Sequence, residues 1–206
     1  FERYGEVFVS LGVSFVPNFV SLYDEGVGDE GLYSELTPPK SSGERWIGVA
    51  PFAKHKGKIY PLDRMEKVVS KLSEESRVKI FLFGSGDRER EILSLWRERY
   101  PGVISLADKR YGFAVELSLM SRLDVMISMD SANMHLASLV EVPVVSVWGA
   151  THPYCGFLGW RQSDSGVVEL PLDCRPCSVF GNKPCYRKDY ACLEIAPETI
   201  VDRVKS

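Results

Sequence analysis

The sequence predicts an α/β fold built on a parallel sheet, and three observations lead to this class. The chain has 206 residues, enough for one good-sized domain. Its 45% hydrophobic and 26% charged content is typical of a soluble globular protein and excludes disordered, collagen-like and coiled-coil classes. From residue 45 onward, short β-branched apolar runs alternate with longer amphipathic segments. Because strands that alternate with helices pair in parallel, we expect a Rossmann-like, doubly wound sheet.

Five apolar runs are predicted as strands and five amphipathic segments as helices. The strands are residues 46–50, 79–83, 103–106, 125–128 and 144–147. The helices are residues 62–72, 88–99, 115–120, 132–139 and a short terminal helix at 197–204. After residue 168 the alternation ends in a cysteine-rich loop (residues 174–192).

The predicted organisation has three parts. Residues 1–44 are interpreted as an interdomain segment and linker, because the stretch 37–43 is rich in Pro, Ser and Gly and follows the apolar segment 7–16. Residues 45–170 are predicted to form the Rossmann-like domain, and residues 171–206 the cysteine-rich loop and the terminal helix packed on it. The first residues show no basic segment followed by an apolar one, so we expect no signal peptide. Because the chain begins at Phe1 and not at Met, we expect a fragment of a longer protein.

Charge and hydropathy argue against nucleic-acid binding and against a membrane-spanning segment. With 25 Lys and Arg against 28 Asp and Glu, the net charge of −3 lacks the footprint of a general nucleic-acid binder. The longest stretch without these charged residues, 142–160, holds two prolines, three glycines and a histidine, so it cannot be a membrane helix. We therefore expect no nucleic-acid partner and no transmembrane segment.

Unusual polar and glycine residues follow four of the predicted strands. They fall in residues 51–58, 84–89, 129–135 and 148–154, which contain all three histidines of the chain. In open parallel sheets, ligands bind beyond the carboxyl ends of the strands. The sequence therefore predicts a ligand site at this edge of the sheet.

The segment 130–135 is a predicted helix start directly after a strand. A helix N-terminus offers N–H groups and a positive dipole end, which suit a pyrophosphate. Ser131 adds a hydroxyl, Ala132 is small enough for an oxygen to approach the backbone, and His135 faces the same way as Ser131. The alternative is that Asp130 or Ser131 only caps the helix, while His135 packs in the interior.

A basic cluster follows the first predicted strand and consists of Lys54, His55, Lys56 and Lys58. Together with Gly57, where the backbone can turn sharply, it suits a phosphate. The alternative is a solvated lysine loop, the usual fate of such runs. A Walker A loop is excluded because its first glycine is missing and Ile59 replaces the required Ser or Thr.

Gly84 and Gly86 resemble half of a dinucleotide-binding fingerprint. The third glycine is missing, and Asp87 would place a carboxylate near the pyrophosphate, so nicotinamide binding is not expected. Glu89 could instead accept hydrogen bonds from ribose hydroxyls, or it could be an exposed helix charge.

Four of the five cysteines lie within nineteen residues and contain one CxxC pair, whereas Cys155 stands apart. Three states remain open for the four: thiolates on a structural zinc, free thiols, or disulfides. The odd count and the clustering argue against a disulfide framework and favour a reducing, cytoplasmic setting. The candidate zinc ligands are Cys174, Cys177, Cys185 and Cys192.

Several segments together carry a family resemblance. APFA at 50–53 with KIYP at 58–61, LFG at 82–84 with Glu89, SMDSANMH at 128–135 and WGATHP at 148–153 occur in this order. They resemble glycosyltransferase family 9, the lipopolysaccharide heptosyltransferases, over residues 45 to 160. The segments 130–135 and 148–153 are the most specific. The sequence departs from the common pattern by placing Ser131-Ala132 where Thr-Gly is usual.

The resemblance implies a fold and an activity. Members of this family have two facing Rossmann-like domains, the GT-B architecture, and this chain resembles the C-terminal, donor-binding half. The resemblance implies that residues 45–170 are its nucleotide-sugar-binding domain. The implied reaction transfers a heptose or related sugar from an ADP-sugar to a lipid-linked lipopolysaccharide core acceptor, with inversion. The general base would lie in the N-terminal domain, so this fragment alone should be inactive. The implied location is cytoplasmic, peripheral to the inner face of the bacterial inner membrane.

The resemblance also implies residue roles. Lys58 and the helix N-terminus would neutralise the departing ADP without a metal cofactor, which agrees with the lack of an Asp-x-Asp motif. Two alternatives are a non-catalytic nucleotide-binding module and a GT-B nucleotide-sugar epimerase. The implied contacts are Lys58 with the donor phosphates, Glu89 with the ribose, Asp130 with the sugar, Ser131, Ala132 and His135 with the pyrophosphate, and Thr151 at the border of the cleft.

Overall fold

The fold is a six-stranded sheet in which every neighbouring pair of strands is parallel. The computed structural model describes the backbone of residues 2–206 and the side chains from Gly5 onward. The strands are β1 (Arg45–Ala50), β2 (Val78–Leu82), β3 (Val103–Ser105), β4 (Val125–Met129), β5 (Val144–Trp148) and β6 (Val167–Glu169). Their order in the sheet, β3-β2-β1-β4-β5-β6, confirms the predicted Rossmann-like, doubly wound sheet.

Helices cover both faces of the sheet. The helices are α1 (Glu2–Ser10), α2 (Leu62–Ser73), α3 (Asp87–Arg99), α4 (Phe113–Met120), α5 (Ala132–Leu139) and α6 (Pro197–Lys205). Side chains of α2, α3 and α6 pack on one face, and those of α4 and α5 pack on the other. The helix α4 begins two residues earlier than predicted, and β6 and α1 are not predicted at all. The β6 segment offers only two adjacent apolar residues, Val167 and Val168, which is too short a run to indicate a strand.

The core divides into two layers because strand side chains alternate between the faces. On β1, Ile47 and Val49 face the α2 side, and Trp46 faces the α4 side. A Cβ atom on Gly48 would lie 2.3 Å from the sulfur of Met126 on β4. Glycine at this position therefore allows β1 and β4 to pack around the large side chains of the α4 layer.

Part of the region before β1 also packs on the sheet. A short 3-10 helix at Glu30–Tyr33 buries Tyr33, whose ring centroid lies 6.2 Å from that of Trp46. Lys40 pairs with Asp124 at 2.7 Å, just before β4. In contrast, residues 7–22 carry many exposed large apolar side chains, which lie outside this core.

The strand order reverses between β1 and β4, so the switch point of the sheet lies at their carboxyl ends. The loop after β1 carries Lys58, and Asp130 comes directly after β4. These two residues therefore belong to the place where doubly wound sheets bind ligands. Within residues 2–206, no helix has the length and apolar character needed to cross a bilayer.

Candidate functional site

A cleft of about 1370 Å³ opens at the carboxyl ends of the strands. Its walls come from the loops after β1, β2, β3 and β4, with further residues from the loop after β5 and from the cysteine-rich loop. Thr151 lies fully buried behind the cleft wall. Six of the seven residues implied by the resemblance line the cleft: Lys58, Glu89, Asp130, Ser131, Ala132 and His135.

Asp130 is held by two donors from neighbouring loops. The Lys58 ammonium lies 2.9 Å from Oδ2 of Asp130, and the side chains of this ion pair are 14% and 4% exposed, respectively. The hydroxyl of Thr151 donates to the same carboxylate oxygen at 2.7 Å. A buried carboxylate is costly without such partners, so this network explains how Asp130 is tolerated at the switch point.

Two backbone contacts hold the loop after β1 against the loop after β5. The Ala150 N–H donates to the Gly57 carbonyl at 2.8 Å. A Cβ atom on Gly149 would lie 2.3 Å from the same carbonyl oxygen, so only glycine permits this approach. This contact places Lys58 beside Thr151.

The basic cluster is divided between two environments. Lys54, His55 and Lys58 line the cleft. Lys56 instead lies over the ring of Tyr190 in the cysteine-rich loop, 5.2 Å from its centroid. The cleft thus receives two of the three lysines.

The first turn of α5 faces the cleft without a side-chain cap. Ser131 is the N-cap residue, but none of the described side chains makes a capping hydrogen bond there. The Ser131 hydroxyl lies 3.3 Å from that of Ser128, and Asp130 is engaged by Lys58 and Thr151. The capping alternative for Asp130 and Ser131 is therefore not what the structure shows, and the N-terminus of α5 can receive an anion.

His135 lies one turn into α5 and is half-buried in the cleft wall. Burial lowers the pKa of His135, the Asp130 carboxylate partly opposes this, and Lys58 lowers the pKa further. The imidazole is therefore neutral at neutral pH and can offer one N–H to a ligand oxygen without adding a charge.

Glu89 closes back over its own loop at the start of α3. Its Oε2 accepts from the Ser85 N–H at 2.8 Å, and a Cβ atom on Gly84 would lie 3.1 Å from the same oxygen. The carboxylate is thus held at the cleft wall by a backbone N–H of the loop after β2.

Several cleft residues were not identified from the sequence, among them Glu116, Phe157, Phe180 and Asn182. Burial raises the pKa of Glu116, which is half-buried on the first turn of α4. The rings of Phe157 and Phe180 lie 5.7 Å apart and form an aromatic wall. Glu116 follows β3 and therefore lies at the carboxyl-end edge of the sheet, as the other candidate site residues do. In the sequence, however, it resembles an ordinary charged residue of a helix.

All five cysteines are free thiols. Burial raises the pKa of Cys192 to about 11 and also raises that of Cys177, with smaller contributions from the neighbouring thiols. Among the described residues, no group of three or more His, Cys, Asp or Glu side chains is arranged to hold a metal ion. The structure therefore gives no support to zinc at Cys174, Cys177, Cys185 and Cys192, which stays a prediction.

Comparisons with known proteins agree with this architecture. The model of glycosyltransferase family 9 (heptosyltransferase) matches residues 29–185. The curated lipooligosaccharide heptosyltransferase 2 of Campylobacter jejuni is 25% identical over 169 residues, covering 80% of this chain and 51% of that protein. The chain thus spans about half the length of this relative.

Two solved structures share the fold. A family 9 glycosyltransferase from Veillonella parvula has a TM-score of 0.73 at 17% identity, covering 99% of this chain and 58% of that one. An E. coli heptosyltransferase solved with ADP-2-deoxy-2-fluoro heptose has a TM-score of 0.65 at 18% identity, covering 99% and 54%. Because the family model covers more than half of the chain, this protein belongs to glycosyltransferase family 9, the heptosyltransferase family.

Proposed function

We propose that this chain binds the nucleotide-sugar donor of a heptosyltransferase. The donor would be an ADP-heptose or a related ADP-sugar, and the transfer to a lipopolysaccharide core acceptor would be completed by the longer protein. The observation that carries the proposal is the network of Lys58, Asp130 and Thr151 at the switch point, beside the uncapped N-terminus of α5.

The diphosphate would lie between Lys58 and the first turn of α5. Lysine and free helix N–H groups are both strong partners for phosphate oxygens. The neutral His135 would donate to a phosphate oxygen, and Ser131 would add a hydroxyl. Ala132, at the first helical position, leaves room for an oxygen to approach the backbone.

The remainder of the donor would extend along the cleft in both directions. Glu89 would accept from the ribose hydroxyls, since its carboxylate is held at the wall by the β2 loop. Asp130 would contact the sugar next to the phosphates. An E. coli protein of the same fold was solved with an ADP-sugar, which supports an ADP-sugar as the ligand class.

In the reaction, this chain would stabilise the leaving group. As the bond between the sugar and ADP breaks, Lys58 and the α5 dipole would neutralise charge on the diphosphate, the task that a metal ion performs in other enzymes. The base that activates the acceptor hydroxyl would come from the remainder of the longer protein, and the transfer would invert the anomeric centre. Since the proposed acceptor would be lipid-linked, the protein would work at the cytoplasmic face of the inner membrane.

Calorimetry of the chain with ADP and with UDP tests the donor assignment. We expect ADP to bind and UDP to bind less tightly. Lys58→Gln should weaken ADP binding by about ten- to a hundredfold, the range of a charge-assisted hydrogen bond. Lys67→Gln is the matched control, because Lys67 is exposed on α2 outside the cleft. Equal affinity of the Lys58 variant and the unaltered chain would refute the assignment.

Two further outcomes identify the alternatives. Preference for UDP-sugar, with its hydrolysis in the absence of an acceptor, would indicate a nucleotide-sugar epimerase. A longer protein that binds ADP but transfers no sugar would be a non-catalytic nucleotide-binding module. Full transfer activity of the present chain alone would overturn the proposal that this chain binds the donor while the remainder of the longer protein supplies the base.

A further inference from the structure

Arg175 ties the cysteine-rich loop to the floor of the site. Its side chain is 2% exposed. The guanidinium donates to the carbonyl oxygens of Gly149, Leu170 and Thr151 at 2.6, 2.8 and 2.8 Å. Its charge is met by Glu169 on β6 at 2.7 Å. One buried side chain therefore fixes the backbone of the loop after β5, including the residue whose hydroxyl holds Asp130.

The backbone of the cysteine-rich loop also reaches the network directly. Gly181 has a φ of +68°, and a Cβ atom there would lie 2.9 Å from Cγ of Lys58 and 3.0 Å from Cγ2 of Thr151. The Cys177 N–H donates to the Ala150 carbonyl at 2.8 Å. The loop is therefore packed on two of the three residues of the network.

We infer that Arg175 is a positioning residue for the donor-phosphate site, acting through Thr151 and Asp130 on Lys58. By holding the Thr151 backbone, Arg175 keeps the Thr151 hydroxyl on the carboxylate oxygen that also pairs with Lys58. A carboxylate oxygen that already accepts a hydrogen bond competes less strongly for the ammonium, so Lys58 can turn to a phosphate. This inference rests on the proposed donor-binding function.

Arg175→Lys tests the inference because it keeps a positive charge near Glu169 but loses the planar fork that spans three carbonyls. We expect ADP binding by the chain to weaken about tenfold. In an Asp130→Asn background the same change should have almost no effect, since no carboxylate then competes for Lys58. Arg187→Lys is the matched control, because Arg187 is exposed in the same loop and pairs with Asp189.

Each outcome of this cycle decides the inference. Equal ADP affinity of the Arg175→Lys variant and the unaltered chain would overturn it. Equal weakening in both backgrounds would also overturn it, because Arg175 would then only support the loop. Absence of ADP binding by the unaltered chain would instead overturn the proposed function on which the inference rests.

Gly181→Ala provides a second route if the Arg175 variant does not fold. Its methyl group would press on Lys58 and Thr151, so ADP binding should weaken several-fold. Gly156→Ala is the control, since Gly156 has a φ of +87° but nothing within 4 Å of its Cβ position. Equal ADP affinity of these two glycine variants would show that the cysteine-rich loop does not determine the position of Lys58 in the donor-phosphate site.

Discussion

Lys58 and Asp130 form a 2.9 Å ion pair that joins the carboxyl ends of β1 and β4, the two strands at which the sheet order reverses. The pair is largely buried, and the hydroxyl of Thr151 completes it. A cation in this position is stabilised by the fold and still lines the open cleft. The pair is therefore a structural contact, and under the proposed function its cation would also meet the donor phosphates.

Asp130→Asn should separate these two tasks. Without the carboxylate, Lys58 is free to meet the phosphates, so ADP affinity should be unchanged or slightly higher. Turnover of the longer protein should fall by about ten- to a hundredfold, because the proposed contact with the sugar is weakened. Steady-state kinetics together with calorimetry check both parts. A loss of ADP affinity equal to the loss of turnover would place Asp130 on the phosphates instead.

Gly149→Ala should destabilise the fold. Its methyl group would lie 2.3 Å from the Gly57 carbonyl and 2.5 Å from Leu193, so the two loops must move apart. We expect the free energy of unfolding to fall by about 1–3 kcal/mol, as for other overpacked sites. Urea denaturation measures this change. Gly5→Ala is the control, because nothing lies within 4 Å of its Cβ position, and unchanged stability of the Gly149 variant would contradict the described approach of the loops.

Glu116→Gln should change the pH dependence of stability. Burial raises the pKa of Glu116 in the folded chain above its unfolded value of about 4.3. The folded state therefore binds this proton more tightly, and stability falls as pH rises from the unfolded pKa through the folded pKa. Glutamine removes that loss, so the variant should be more stable than the unaltered chain at neutral pH and show little gain in acid.

Urea denaturation across this pH range provides the measurement. Glu91→Gln is the matched control, since Glu91 is exposed on α3. The account of Glu116 would be wrong if both variants changed stability equally at every pH.

The thiols of Cys177 and Cys192 should resist alkylation at neutral pH. Their raised pKa values keep them protonated, and the thiolate is the reacting form. The alkylation rate of Cys192 should increase with pH until the pH approaches the pKa of this thiol, about 11. Mass spectrometry after timed iodoacetamide treatment measures each site.

Metal analysis of the same protein tests the predicted zinc. The described arrangement favours four titratable thiols and far less than one metal ion per chain. One tightly held zinc with sulfur ligands near ~2.3 Å would instead require the cysteine-rich loop to adopt a different arrangement.

Five of the six strands, and the edge that carries the candidate site, could be predicted because local patterns encode them. β1, β4 and β5 are β-branched runs buried on both faces, which is the pattern of central parallel strands. The residues that follow them must then meet at one edge, and this rule alone brings Lys58 and Asp130 together.

Other features could not be predicted because they depend on tertiary contacts. The cysteine-rich loop has no periodic pattern, so nothing local indicates that it returns to the cleft. In the sequence Arg175 resembles any surface arginine, since two of the three carbonyls that it binds, those of Gly149 and Thr151, are more than twenty residues away. The hydrogen bond from Thr151 to Asp130 also spans two loops that are 21 residues apart in sequence. Such relationships follow from the packing of the loops and not from their composition.

A crystal structure of the chain with ADP tests the central claim most directly. We predict a diphosphate oxygen within hydrogen-bonding distance of the Lys58 ammonium, and another on the N–H groups of the first turn of α5. Glu89 should face the ribose in the same complex. ADP bound away from the carboxyl ends of β1 and β4, or a diphosphate that contacts neither Lys58 nor α5, would contradict the account.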